Sequence, residues 1–192
     1  MSTTSAPFGF RPVQNYPGTV RPNETIDGIT SGNSTAIYVG QPVNLSSGKL
    51  TAVTATSDKI FAIFAGCKFL ASATASTYTY GYWPASQAYI AGTMSTYYYD
   101  DPGQIYEVQA NGSVAATALG SQVLTNSVTS GSTTTGLSQA MVVNTTVGNG
   151  VQGQFLIVGV QQAPDNAWGD NYTIVRVKVA YPQVYPSTTS LA

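Results

Sequence analysis

The sequence predicts an all-β protein, an antiparallel β-sandwich or barrel that carries an extended N-terminal arm. Charged residues make up only 8 % of the 192-residue chain. Ser, Thr, Val and Tyr are abundant instead, and this composition disfavours long helices and suits strands and turns. Short β-branched and aromatic runs recur every ~8–15 residues between turn signals, as in sandwiches and barrels. No repeat of ~20–50 residues is visible, so solenoids and propellers are not expected.

Residues 1–31 form the predicted arm. Four prolines divide this segment at a spacing near five: Pro7, Pro12, Pro17 and Pro22. Proline removes a backbone donor and fixes φ, so a helix or a central strand is not expected here. The apolar residues between the prolines are nevertheless too many for a solvated tail. An extended arm that lies on a surface satisfies both facts, and that surface is either the chain's own body or a neighbouring subunit.

Strand signals dominate the predicted body, residues 32–182. Strands are expected within 35–43, 59–69, 78–83, 93–99, 104–109, 139–145, 153–162 and 172–180, and Ser47-Gly48 is expected to close a hairpin. Residues 113–125 are compatible with a short helix, although Gly120 interrupts it. The tail, residues 183–192, is expected to be loose.

Residues 59–69 predict a strand that is buried on both faces, because both sets of alternating side chains are apolar. Strict alternation places Ala62 and Phe64 on one face. It places Ile63, Cys67 and Phe69 on the other.

Charge balance argues against two classes of partner. Seven basic and eight acidic residues give a net charge of −1, so no basic surplus is present to hold nucleic acid or an anionic membrane. A net charge near zero favours self-association, and a monomer kept soluble by its hydroxyl groups is the alternative. The polar N-terminus lacks a secretion signal, and no apolar run reaches the ~18 residues of a membrane span. Synthesis in the cytoplasm is therefore expected.

The chain lacks the residues that most catalytic machinery needs. It has no histidine and a single cysteine, Cys67, which excludes Ser-His-Asp and Cys-His catalysis and zinc sites of the usual Cys/His kind. No phosphate-binding loop is present, and no cofactor or catalytic residue is expected. Cys67 lies inside a hydrophobic strand and is expected to act as a small buried apolar residue.

Paired carboxylates leave one enzymatic alternative. Asp101 and Glu107 flank a predicted hairpin beside several tyrosines, and a glycosidase requires two carboxylates in a cleft. The preferred interpretation is structural, because Asp101-Pro102-Gly103-Gln104 fits a type II turn with glycine where φ must be positive. Tyr97 and Tyr99 then share one face of the preceding strand.

Residues 165–171 (DNAWGDN) are rich in possible oxygen ligands for calcium. They do not follow the EF-hand spacing, however. A turn that is stabilised by Asn and Asp side chains is the preferred interpretation.

Several segments taken in order resemble a known family. They are SAPFGFRPVQ (5–14), TAIYVGQPVNL (35–45), FAIFAGCKF (61–69), YWPAS (82–86), YYYDDPGQIYEVQANG (97–112), GSTTTGLS (131–138) and GVQQAPDNAWGDNYTIVRVKV (159–179). This set is similar to small structural proteins of tailed bacteriophages, in particular the head decoration or capsid cement proteins of cyanophages and other marine phages. The similarity spans nearly the whole chain. Its most distinctive pieces are D-D-P-x-x-x-Y/F-E-V-Q and P-D-N-x-W-G-D.

The resemblance implies an all-β protein on the outside of an icosahedral capsid, bound to the major capsid protein and often trimeric. It supplies no catalytic residues, and the very low charge of this chain departs from the family. We expect contacts between subunits or with the capsid from seven residues: Phe8, Phe10, Arg11, Tyr16, Tyr97, Tyr99 and Trp168. The arm residues are included because the arm has no predicted strand partner.

Two other functions remain open at the level of sequence. A phage tail or fibre component, or a carbohydrate-binding β module, would use exposed aromatic side chains. The candidates for such a role are Tyr78, Tyr80, Tyr82 and Trp83. The glycoside-cleaving enzyme would use Asp101 and Glu107.

Overall fold

The computed structural model describes residues 4–13, 20–71, 79–126, 128–148 and 150–184. Strands account for 39 % of the structure and helix for 2 %, and the sheets are antiparallel. The predicted all-β fold is therefore confirmed.

The strands within these ranges are, in chain order, β1 (Arg11–Val13), β2 (Asn23–Ile26), β3 (Pro42–Ser46), β4 (Lys49–Ala52), β5 (Ala62–Phe69), β6 (Thr79–Gly81), β7 (Ser95–Tyr99), β8 (Ile105–Gln109), β9 (Gln122–Val123), β10 (Thr125–Asn126), β11 (Met141–Val142), β12 (Phe155–Val160) and β13 (Ile174–Val179). The segment 113–125 contains one 3₁₀ turn, Ala116–Ala118, followed by two short strands. The first sheet has the order β1-β8-β13-β12-β9. The second has the order β2-β7-β5-β3-β4, with β6 also paired to β5, and β10 and β11 form a separate pair.

Two hydrophobic cores lie on opposite faces of the second sheet. The first core contains the inward side chains of the first sheet, such as Tyr106 and Val177, together with Ile63 from β5. The second core joins Phe64 from β5 to Ile37 and Trp83, which lie outside the main strand ladders. The molecule thus has three layers, which are the first sheet, the second sheet and a cover of connecting segments.

Strand β5 is buried on both faces, as predicted, but the assignment of its faces was wrong. A bulge interrupts its pairing with β7 between Phe64 and Gly66, and Gly66 has φ +125°. The extra residue shifts the alternation by one position. Cys67 and Phe69 consequently lie with Phe64 in the second core, whereas Ile63 lies in the first.

The N-terminal residues that the structure describes lie on the chain's own body. Strand β1 pairs with β8, and β2 pairs with β7. The premise that the arm lacks a strand partner is therefore wrong for residues 11–13 and 23–26. A boundary at residue 31 does not separate an arm from the body, because each sheet takes one of its edge strands from this segment.

The hairpin at Ser47-Gly48 is confirmed, since β3 and β4 pair directly across it. Both loop residues have positive φ, 50° at Ser47 and 75° at Gly48. This is the backbone geometry that a two-residue hairpin of matching twist requires. The expected looseness of the C-terminal tail falls mostly outside the described residues, which end at 184.

Candidate functional site

A row of three charged side chains crosses the first sheet. The strand registers place Arg11 and Arg176 directly opposite Glu107 on the two neighbouring strands. The Nη2 atoms of Arg11 and Arg176 lie 2.7 Å from Glu107 Oε2 and 3.1 Å from Glu107 Oε1, respectively. Gln161 Nε2 donates a further hydrogen bond of 3.2 Å to Glu107 Oε2. The row connects the edge strand β1 with β8 and β13, the next two strands of the sheet.

The row carries an excess of positive charge, because two guanidinium groups face one carboxylate. The Glu107 side chain is only 6 % exposed, whereas the side chains of Arg11 and Arg176 are 56 % and 37 % exposed. Part of each guanidinium group is thus in contact with solvent, and each carries five N–H donors, more than it uses on Glu107.

The two carboxylates of the enzymatic alternative lie in different environments. Glu107 is buried beneath its two arginines. Asp101 is exposed at the turn, where its Oδ1 accepts a hydrogen bond of 2.7 Å from the Gly103 amide. Asp101 lines a small cavity of about 40 Å³ whose lining does not include Glu107. The geometry thus does not bring these two groups into one cleft.

The Asp-Pro-Gly turn forms where it was predicted, but not in the predicted type. The Gln104 amide donates to the Asp101 carbonyl at 3.0 Å, which closes the turn. Gly103 does not have a positive φ, so type II geometry is excluded. The Asp101 side chain holds the Gly103 amide instead, as Asp commonly does at the first position of a turn.

The tyrosines of β7 alternate between the two cores, as predicted for a strand. Tyr98 packs against the second core and Tyr99 against the first. Tyr99 accepts a hydrogen bond of 3.2 Å from the Tyr106 hydroxyl at its carbonyl oxygen, and burial raises the pKa of Tyr99. The ring of Tyr97 is half-buried, and the Lys68 ammonium lies 5.9 Å from its centroid.

The loop 165–171 is a turn held by side chains, in agreement with the preferred interpretation. Asn166 is 7 % exposed. It donates to the carbonyls of Gln161 and Ile174 at 3.0 and 2.9 Å and accepts from the Ile174 amide at 2.8 Å. Trp168 in the same loop is half-buried and packs against the first core.

The predicted contact residues of the arm differ in burial and packing. Phe10 is 1 % exposed and stacks on Phe155 with a centroid distance of 4.4 Å. The ring therefore belongs to the chain's own core, and an intermolecular contact of Phe10 stays a prediction. Phe8 is half-buried, and the Arg11 guanidinium lies 5.0 Å from its ring centroid. Tyr16 lies outside the described residues.

A second cavity, of about 230 Å³, opens beside Phe8 and Arg11. The arm supplies one wall, and the second sheet supplies another through Phe64, Ala65 and Tyr99. Leu137, whose side chain is partly solvated at 43 % exposure, also lines it. The structure thus brings Phe8, Phe10, Arg11 and Tyr99 from the predicted set to one cavity. Tyr97 and Trp168 are not part of its lining.

Of the aromatic residues proposed for carbohydrate binding, the structure describes the side chains of Tyr82 and Trp83, and these two do not form an exposed platform. Trp83 is 0 % exposed and contacts Phe69 and Tyr89, with centroid distances of 5.3 and 6.0 Å. The expectation that Trp83 is exposed is therefore wrong. Tyr82 is half-buried and stacks on Tyr38 at 5.2 Å. Tyr78 and the side chain of Tyr80 lie outside the described residues.

Sequence reasoning missed the residues that complete this region. Arg176 lies in the strand predicted within 172–180, but nothing in the sequence connects it with Glu107. Gln161 and Leu137 lie in segments that carry the family resemblance, but neither was predicted as a site residue, because each reaches this region only through the fold. A hydrophobic pattern alone does not identify such residues.

Comparison with protein-family models, with curated proteins and with solved structures finds no significant match to this chain. Across residues 4–13, 20–71, 79–126, 128–148 and 150–184, no three acidic, cysteine or histidine side chains are grouped as metal ligands would be. Over the same ranges, no helix is long and apolar enough to cross a membrane.

Proposed function

We propose that this protein is a decoration, or cement, protein on the outer surface of the icosahedral capsid of a tailed bacteriophage. The observation that carries the proposal is the ordered set of motifs, above all YYYDDPGQIYEVQ and PDNAWGD, which resembles that family along nearly the whole chain. The alternative is a phage tail or fibre component, or a carbohydrate-binding β module.

The positions of these motifs in the fold support treating them as one unit. FGFRPV contributes β1, IYEVQ is β8 and IVRVKV is β13, and these three strands are neighbours in the first sheet. One charged residue from each motif forms the Arg11–Glu107–Arg176 row. Motifs that are far apart in sequence therefore build one part of the first sheet. Such a shared structural role is what we expect of a structural capsid protein.

The proposed partners are the major capsid protein and further copies of this chain, arranged as a trimer at threefold or quasi-threefold positions. No nucleic acid, membrane or cofactor is part of the proposal. Many copies act together, so that modest individual contacts gain strength from avidity. A protein that binds the expanded capsid in preference to its dissociated subunits stabilises the capsid by linkage.

Reconstitution on capsids tests the proposal. Purified protein would be added to expanded capsids from a phage that lacks it, and occupancy would be measured by cryo-EM. We expect density on the outer surface at threefold positions and a higher temperature of capsid disruption. Density confined to the tail, with a copy number far below that of the threefold positions, would support the alternative and refute the proposal.

A further inference from the structure

The cavity beside Arg11 combines an apolar interior with a cationic rim. Its walls include Phe8, Phe64 and Leu137, and its volume of about 230 Å³ is enough to admit an aliphatic side chain. Arg11 lies in the lining and is 56 % exposed. Because Glu107 balances only one of the two guanidinium groups around it, the rim favours a carboxylate from outside. The matching ligand is an apolar side chain with a carboxylate next to it.

The chain presents such a pair on the edge strand β2. Among the residues that the structure describes, five large apolar ones are exposed: Ile26, Leu119, Leu137, Val151 and Val184. Of these, Ile26 alone has an acidic residue two positions away on its own strand, namely Glu24. Residues i and i+2 of a strand point to the same face, ~7 Å apart.

The side-chain directions on β2 agree with this pairing. The intervening residue, Thr25, points the other way, because its hydroxyl lies 2.8 Å from the Tyr98 hydroxyl. Ile26 is 55 % exposed. Glu24 is exposed too, and the ion pairs of the described residues involve Glu107 and not Glu24.

We propose that the cavity receives Ile26 of a second copy of the chain, with the Glu24 carboxylate of that copy beside Arg11. Burial of the isoleucine removes apolar surface from water on both partners. The carboxylate meets the unbalanced positive charge at the rim. The near-zero net charge of the chain imposes little long-range repulsion between copies.

The contact joins two different surface patches, which are the cavity beside Arg11 on one copy and strand β2 on the other. It closes either as a two-fold pair, in which each copy both inserts and receives Ile26, or as a ring. This inference rests on the self-association within the proposed function, of which the trimer would be the ring form. It does not depend on capsid binding, so it is tested on the isolated protein.

Sedimentation equilibrium of the wild type and of two variants, Ile26→Ser and Leu119→Ser, tests the contact. The wild type is expected to associate, and Ile26→Ser is expected to weaken association about tenfold or more. Leu119→Ser is the matched control, because Leu119 is 56 % exposed and does not line the cavity. Unchanged melting temperatures would show that both variants are folded. A monomeric wild type, or equal association of the two variants, would overturn the inference.

Cross-linking identifies the two patches directly. Ile26→Cys and Leu137→Cys would be prepared as separate chains, mixed and oxidised, while the native Cys67 stays buried. We expect a disulfide between the two different variants, and neither variant alone should cross-link to the same extent. Cross-links that form no faster than those of Leu119→Cys with Leu137→Cys would contradict the contact. A chain that associates through Ile26 but leaves capsids bare would refute the proposed function and retain this inference.

Discussion

Replacement of Phe10 by alanine separates a core role for this residue from a role in contacts between subunits. The ring is 1 % exposed, stacks on Phe155 at 4.4 Å and meets Tyr106 edge-on at 6.5 Å. A buried phenylalanine removes ~150–250 Å² from water. At ~25 cal/mol per Å² this contributes roughly 4–6 kcal/mol for the whole side chain. Alanine keeps part of that area, in line with the ~3–5 kcal/mol measured for Phe→Ala in cores. We therefore expect the isolated chain to lose about 4 kcal/mol of its free energy of unfolding.

The measurement is urea and thermal unfolding of the isolated protein at a concentration where it is monomeric. For a chain of this size, the predicted loss corresponds to a decrease in Tm of about 8–16 °C. Phe8→Ala is the control, because Phe8 is only half-buried and is expected to show less than roughly half of the effect. If Phe10→Ala unfolded like the wild type as a monomer and lost only its self-association, Phe10 would belong to an interface and the reasoning would be refuted.

Three further changes have expected outcomes. Glu107→Gln keeps the shape of the charged row but removes its carboxylate, so unfolding should become easier by about 1–2 kcal/mol, and this loss should shrink in 1 M salt if the ion pairs are its cause. Gly131→Ala places a Cβ atom 2.2 Å from ring carbons of Tyr38, so it should lower Tm by many degrees. Gly148→Ala meets no atom within 4 Å and serves as its control; equal Tm values would contradict the packing. Burial raises the pKa of Cys67 from 9.0 to about 12. The folded state therefore retains a proton that the unfolded state loses, and stability should fall as pH rises from about 9 towards 12. A thiol reagent should modify Cys67 only after unfolding, and rapid modification of the folded protein would show that the thiol is accessible.

Local patterns were sufficient for the class of the fold and for many of its elements. The β-branched and aromatic runs placed most of the main strands, because side chains that fit a pleated, half-buried surface carry that signal themselves. The turn residues predicted turns for the same reason, because their own conformational preferences carry the signal. Ser47-Gly48 supplied the positive φ values of the hairpin, and Asp101-Pro102 supplied the bend before β8.

The assignment of side chains to the two faces of β5 by alternation was wrong where a bulge interrupts the regular pairing. The bulge after Phe64 moved Cys67 and Phe69 to the opposite core, and only the register with β7 reveals it. The type of the Asp-Pro-Gly turn was also missed. The Asp101 side chain, rather than a positive φ at Gly103, stabilises that turn.

By itself, the sequence determined an all-β chain of low charge without histidine, and its resemblance to a phage family stays a prediction. Only the tertiary structure decided that Phe10 belongs to the core. It also decided that Arg11, Glu107 and Arg176 form one row and that a cavity opens beside them. The physical reason is sequence separation, since Arg11 and Glu107 are 96 residues apart and meet only through the pairing of β1 with β8. Spacing along a chain encodes local conformation, whereas the position of an edge strand depends on the free energy of the whole packed sheet.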